Sequence, residues 1–304
     1  MQKVNDYCVA VKNLKKDYGQ KQALAGITLN IEKGEILGLV GPNGAGKTTF
    51  IKLLMGLLQP TSGSIRIFGT DIGAMTHKEW RNVGYISEEP NLYDFMTVQE
   101  IINFNSKFYP DWDKDRCSDL LAHFNLPLNE KIKNLSKGMQ TQLSLVLAMV
   151  PMPQLLILDE PLEGLDPLRR INFLNLVLED YMRKEGRTIL ISSHYLEEME
   201  RIADRIAFLN EGRLVRVAPM EQLRMEEKTI RVVFQKEPPV ELLQMPGIKD
   251  IQREGTPGFL ITVEDNFNAI FEACSRFPHY VLDIYHRNLE DLFHDYSGGD
   301  DRGV

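Results

Sequence analysis

Gly41-Pro42-Asn43-Gly44-Ala45-Gly46-Lys47-Thr48 fits the spacing G-x-x-x-x-G-K-[ST], and it lies between an unbroken apolar run at 36–40 and a helical pattern at 47–58. The run reads as a strand buried on both faces. The helix is stopped by Pro60, which has no N–H to continue it. Glycines at these positions let the backbone wrap so that successive N–H groups point inward. The helix that follows adds its positive N-terminal end. Asn43, Gly44, Ala45, Gly46 and Thr49 complete a cradle for phosphate, with Lys47 as a mobile cation for the outer phosphates and Thr48 as a hydroxyl for Mg²⁺. A strand–loop–helix of this kind belongs to an α/β fold with an open parallel sheet, whose ligands sit at the carboxyl ends of the strands.

Two further apolar runs carry chemistry at their ends. Leu155-Leu156-Ile157-Leu158 is followed by Asp159-Glu160, and the run at 188–193 is followed by His194. Asp159 is placed to hold Mg²⁺, through water. Glu160 is placed to polarise an attacking water as general base, and His194 to contact the γ-phosphate and orient that water. In a parallel sheet the loop, the acidic pair and the histidine fall on one edge.

The rest of the chain divides in two. Strand patterns at 8–14, 23–32 and 64–68 accompany the parallel strands, and a hairpin at 205–210 and 213–217 turns around Glu211-Gly212. Residues 94–150 read as mainly helical: Thr97-Val98-Gln99-Glu100 is a capping box, and a helix at 137–150 ends at Pro151. A boundary falls at 219–228. Beyond it come strand 229–235, helix 240–244, strands 248–253 and 259–263, helix 267–277 and strand 280–285. This β-α-β-β-α-β order suggests a small ferredoxin-like α+β domain. The expected organisation is a nucleotide-binding domain at 1–220 with a helical part at about 94–150, an accessory domain at 228–296 closing on a helix at 289–296, and a disordered tail at 297–304.

The formal net charge of −8 argues against a broad nucleic-acid surface and against polybasic membrane attachment. No apolar run approaches the ~18 residues that span a bilayer, and the polar start has no signal-peptide core. The expected location is the cytosol. Cys8, Cys117 and Cys274 have no metal-ligand spacing and read as buried thiols in a reducing compartment.

Leu135-Ser136-Lys137-Gly138-Met139-Gln140, between the glycine-rich loop and Leu155–Glu160, resembles the LSGGQ signature of ATP-binding cassette (ABC) ATPases. The resemblance covers residues 7–217. It implies a P-loop NTPase with a RecA-like core, an antiparallel β part and an inserted helical subdomain. It also implies a working dimer, in which each ATP lies between one subunit's glycine-rich loop and the other's signature, so that Ser136 and Gly138 donate in trans. Ser136 reads independently as an N-cap. Tyr18 looks like the aromatic that stacks on adenine. Leu165-Asp166 resembles the loop coupling the two sites, and Gly84-Tyr85-Ile86-Ser87-Glu88 the loop linking core to helical subdomain.

The chain departs from the pattern at Glu88, where the family has Gln. An ionised carboxylate accepts but cannot donate, so a metal role for Glu88 survives while γ-phosphate sensing becomes more dependent on Mg²⁺ or protonation; a register one residue on would put Glu89 there instead. Lys137 stands where Gly is usual, as an added cation near the partner's ATP or as a solvent-facing side chain. Glu163 stands where Ser is usual. By resemblance the chain is the ATPase subunit of a bacterial-type transporter, on the cytoplasmic face of the membrane, with a second ATPase subunit and a separate integral permease. A single cassette with a small C-terminal domain is similar to exporters of the antibiotic or peptide efflux kind, and Leu289-Glu290-Asp291-Leu292-Phe293 resembles a stretch common in them. The competing readings are a non-transport ABC ATPase acting on ribosomes or DNA, and a ligand-sensing regulatory ATPase.

Overall fold

Bulges explain why the first strand outruns its own alternation. β1 (Tyr7–Tyr18) pairs antiparallel with β2 (Lys21–Glu32), from Tyr18↔Lys21 to Tyr7↔Glu32, with register shifts between Val11 and Leu14. Asn13 adopts a positive φ of 48° at that irregularity. The extra residue breaks the two-residue period there, so the sequence pattern stops at Leu14 while the strand continues. We describe residues 7–182, 186–225, 228–255, 257–286 and 289 from a computed structural model. The expected helix at 289–296, apart from Leu289, and the tail at 297–304 lie outside the described residues.

β3 (Ile36–Val40) is buried at every position and leads through the glycine-rich loop into α1 (Lys47–Leu54). The helix is shorter than the 47–58 expected. Met55 caps it, and Gly56 takes a left-handed φ of 66° with its N–H donating to the Leu53 carbonyl at 3.1 Å, a glycine stop the apolar pattern beyond it conceals. β4 (Ser62–Ile67) and β5 (Thr70–Asp71) complete a four-stranded sheet in the order β2-β1-β4-β5. After the short α2 (His77–Trp80), β6 (Val83–Ile86) pairs parallel with the strand at Leu155–Asp159. Gly84-Tyr85-Ile86, read above as part of a loop, is therefore strand, and the loop begins at Ser87. Gly84 hides the strand by interrupting its apolar run. It is required because a Cβ there would come within 2.9 Å of Leu156 and Pro153 side chains.

The helical part holds α3 (Val98–Ser106), α4 (Lys114–His123) and α5 (Lys137–Met149). Thr97 and Glu100 form the reciprocal capping box, with Thr97 N–H donating to Glu100 Oε2 at 2.8 Å and Glu100 N–H to Thr97 Oγ1 at 3.2 Å. Then follow β7 (Leu155–Asp159), α6 (Pro167–Leu176), β8 (Thr188–Ser193), α7 (Leu196–Ile202), β9 (Arg205–Asn210) and β10 (Arg213–Pro219). The second sheet runs β10-β9-β3-β8-β7-β6 and is parallel from β9 to β6. Its β3, β7 and β8 are buried at every residue, as their unbroken apolar runs require.

Phe50 on α1 is fully buried in a cluster that joins both sheets, with Val9, Leu29, Leu37, Ile65 and Ile157. Replacing Phe50 with alanine removes the anchor that fixes α1. We expect Phe50→Ala to lower unfolding free energy by about 3–5 kcal/mol, measured by urea denaturation followed by tryptophan fluorescence.

The chain divides into two compact units, Met1–Val217 and Ala218–Val304. After the last two residues of β10, the second unit carries a helix, α8 (Met220–Met225), within the expected boundary region 219–228. β11 (Lys228–Phe234), α9 (Val240–Leu243), β12 (Ile248–Arg253), β13 (Gly258–Val263), α10 (Phe267–Ser275) and β14 (His279–His286) follow. The strands form one antiparallel sheet in the order β12-β13-β11-β14. Ile230, Val232, Phe234, Phe259, Ile261 and Val263 pack with Ile270 and Cys274 of α10 as this unit's core. Cys8, Cys117 and Cys274 are all buried and free, and burial pushes each thiol up to about 11. Among the described residues no helix is long and apolar enough to cross a membrane.

Candidate nucleotide site

Two glycines make the phosphate loop possible. Gly46 caps α1 at φ 108°, and a Cβ on it would sit 2.9 Å from the Ala23 carbonyl oxygen. A Cβ on Gly41 would sit 2.1 Å from the Leu209 carbonyl oxygen. The loop is held from behind by backbone bonds: Ala45 N–H donates to Pro42 O, Gly212 N–H to Ala45 O, and Ala25 N–H to Gly212 O. Ala45 itself is buried, so it shapes the loop from inside. The outer atoms of Pro42, Asn43 and Gly44 are exposed.

The loop bounds a cleft of about 600 Å³ whose wall includes Tyr18, Asn43, Gly44, Gly46, Lys47, Thr48, Thr49, Glu88 and Glu160. Tyr18 is 48% exposed on this wall, and Lys16 Nζ lies over its ring, 5.0 Å from the ring centre. Glu88, and not Glu89, lies on this wall. Lys21, Gln22 and Glu211 also line it. No motif pointed to them, because the start of β2 and the β9–β10 turn reach the cleft only through the fold.

At the ends of β7 and β8 the register pairs Asp159 with Ser192. Ser192 Oγ donates to Asp159 Oδ1 at 2.8 Å, and Glu160 N–H donates to Ser192 Oγ at 2.9 Å. Ser192 thus orients both acids. Sequence reading passed over it, although two serines ending a buried apolar strand was the available signal. Thr48 Oγ1 donates to Asp159 Oδ1 at 3.3 Å. Burial raises the Asp159 carboxyl above the usual range. Hydrogen bonds from Ser192 and Thr48 pull it down, while the charges of Glu88 and Glu160 push it up.

Asp159 is fully buried, yet its Oδ2 has no protein partner. An orphaned buried carboxylate oxygen beside a threonine hydroxyl suits a hard cation with oxygen ligands. Among the described residues no cluster of three or more His, Cys, Asp or Glu could hold a metal alone.

Glu160 is gripped on both oxygens. Lys47 Nζ pairs with Oε1 at 2.9 Å, and His194 Nδ1 lies 2.9 Å from Oε2, which also receives His194 N–H at 3.3 Å. The Lys47–Glu160 contact is an ion pair that is off hydrogen-bond alignment. Lys47 also donates to the Gly41 carbonyl at 2.6 Å. Glu160 takes a positive φ of 47°, a conformation that costs on the order of 1–3 kcal/mol and recurs at functional sites.

Ser136, Lys137, Gly138 and Asp166 are not on the wall of this cleft. Ser136 caps α5, accepting from Met139 N–H at 3.2 Å. Gly138 is buried, and a Cβ there would lie 3.0 Å from Leu165. Lys137 is exposed, its aliphatic stem laid over Gly164. Asp166 caps α6, accepting from Arg169 N–H at 3.0 Å.

The family profile described as ABC transporter matches residues 24–163. The uncharacterised ABC transporter ATP-binding protein YcbN of Bacillus subtilis is 39% identical over 222 residues, covering 72% of this chain and 71% of that one. This chain belongs to the ABC transporter ATP-binding family. Among its ABC relatives, the bacitracin transport ATP-binding protein BcrA of Enterococcus faecalis is 36% identical over 227 residues, covering 74% of this chain and 73% of that one. A solved ATP-binding subunit of an ABC transporter superposes with a TM-score of 0.65 at 32% identity, over 71% of this chain and 92% of that one. As an ABC ATPase the chain binds and hydrolyses ATP, and it is the ATP-binding subunit of a transporter.

Proposed function

We propose that this ABC ATPase drives an exporter. Two such subunits close on two ATP molecules at the cytoplasmic face of the membrane and move a separate integral permease. The dimer reading is supported by the geometry of one chain, whose cleft is open at Tyr18, Asn43 and Gly44. The capped N-terminus of α5 lies outside that cleft. A helix N-terminus with exposed Ser136 and Lys137 is an anion-binding end, and a second copy's γ-phosphate is the anion it fits.

In this reading Thr48 and Asp159, with Glu88 nearby, would hold Mg²⁺, which would supply charge neutralisation to the phosphates. Tyr18 stacks on adenine, and Lys47 leaves Glu160 for the outer phosphates. Glu160 is then free to take the proton of a water whose oxygen bonds to the γ-phosphorus as the bond to ADP breaks. His194 keeps Glu160 aligned from the other side. Loss of phosphate removes the shared contacts and the pair opens. The work available is the difference in affinity between closed and open states.

The observation that carries the permease part is an exposed aromatic patch. Tyr93, Phe95 and Phe108 are 50%, 63% and 54% exposed, and Phe104 lies among them with ring centres 5.6 Å from Tyr93 and 5.2 Å from Phe108. Beside it runs a groove of about 580 Å³ lined by Glu88 to Leu92, Asn105 and Tyr109. Clustered exposed aromatics mark a partner surface, and Glu88 belongs to both groove and nucleotide cleft. A short helix of a membrane protein docked here would bear on the ATP site. The name of the bacitracin transport relative supports an antibiotic-like cargo.

Affinity purification of the chain from membranes tests this. A multi-span protein should co-purify, and Phe95→Asp/Phe108→Asp should abolish its capture while basal hydrolysis stays within about twofold of wild type. Capture of ribosomes or DNA in place of a membrane protein would sink the transport reading.

A further inference from the structure

Glu163 stands outside the phosphate cradle, at a position where the family resemblance leads one to expect serine, and its carboxylate has a definite place. Its N–H donates to Glu160 O at 3.1 Å, closing the turn after the acidic pair. Its Oε2 lies 3.6 Å from His194 Nε2, longer than a hydrogen bond and attractive only when that nitrogen carries a proton, and receives the Tyr195 hydroxyl at 3.4 Å. The other ring nitrogen, Nδ1, is the one that meets Glu160 Oε2 at 2.9 Å. The imidazole therefore spans two carboxylates, one on each side.

The neighbours of Glu163 bind the same ring to the same loop. The Tyr195 ring centre is 4.0 Å from that of His194, and the Arg170 guanidinium lies 3.6 Å over the Tyr195 ring. Arg170 Nε donates to the Leu165 carbonyl at 3.0 Å, and its Nη1 pairs with Glu198 at 3.4 Å. Residues 163–166 thus touch His194 twice: through the Glu163 carboxylate, and through Leu165, Arg170 and Tyr195 in turn.

We propose that Glu163 is a positioning residue for ATP hydrolysis, holding the far nitrogen of His194 so that the near one stays on Glu160. The inference rests on the roles given to Glu160 and His194 under Proposed function. A serine reaches one heavy atom beyond Cβ and a glutamate three, so the long side chain is what spans to the ring. A helix-capping loop that also buries Gly138 carries Glu163, so a shift of residues 163–166 reaches the general base through the imidazole as well as through the backbone bond to Glu160. Glu163 is 39% and His194 33% exposed. Solvent screening therefore limits the effect to a modest factor.

The test is steady-state hydrolysis by the full-length chain as wild type, Glu163→Gln, His194→Ala and the double variant. Glu163→Gln is expected to lower kcat about three- to fivefold with KM for MgATP changed less than about twofold. In the His194→Ala background the same change should alter kcat by less than about twofold, because its target is gone. An equal fall in both backgrounds, or none in wild type, overturns the role of Glu163 while leaving His194 in place. Wild-type turnover by His194→Ala sinks the His194 reading, and this inference with it. Nitrogen-15 histidine spectra of the nucleotide-free chain give the answer without turnover. Glu163→Gln should move the ring resonances of His194 and spare the other five of the six histidines; unmoved His194 resonances contradict the proposal.

Discussion

Glu160→Gln is expected to lower kcat by a factor of about 10²–10⁴ while ATP still binds. Amide and carboxylate are nearly equal in size, so the left-handed turn at residue 160 and the backbone bond to Ser192 persist. What is lost is a group able to take a proton, and general bases contribute rate factors of that order. Affinity should hold or rise. In the nucleotide-free chain Lys47 is paired with Glu160 at 2.9 Å, and an amide releases it to the phosphates at less cost. Rapid quench of pre-bound ATP, with equilibrium binding measured beside it, separates the two effects. A variant that turned over within about threefold of wild type would remove Glu160 from the role of base.

Lys47→Met should weaken ATP binding by about two orders of magnitude or more, as removal of one member of a buried charge pair does. Its second effect is less obvious. Lys47 and Glu160 are only 5% and 7% exposed, so methionine strands a buried carboxylate. Breaking such a pair costs up to about 3–5 kcal/mol, and His194 on the other oxygen offsets part of it. Without nucleotide, Lys47→Met should therefore unfold at lower urea than wild type, and adding Glu160→Gln should restore at least about 1 kcal/mol of that loss. Isothermal titration and urea melts of the four proteins read both effects. Strictly additive stabilities would mean that the ion pair contributes nothing.

The parallel core was legible in the sequence because burial on both faces leaves no polar positions. The runs ending at Val40, Asp159 and Ser193 are strands buried at every residue, and the chemical residues stand at their ends. Capping was legible at Thr97 and Ser136 because it is local. What the sequence concealed is non-local or glycine-dependent. β6 was hidden by Gly84, whose lack of a side chain lets α5 and β7 approach. The early end of α1 depends on the backbone angle of Gly56. Ser192 acquires its partners only through the β7–β8 register. The Lys47–Glu160 pair and the Glu163–His194 contact join residues whose spacing carries no periodic signal. The role in trans proposed for Ser136 came from resemblance, and one chain supplies only half of that arrangement.

The central claim is that one chain's cleft is finished by the signature of another. Sedimentation of Glu160→Gln at saturating MgATP tests it most directly, with the same variant carrying Ser136→Arg as the control. The account predicts particles of twice the chain mass for the first and single chains for the second. Single chains in both, or dimers indifferent to Ser136, would contradict it.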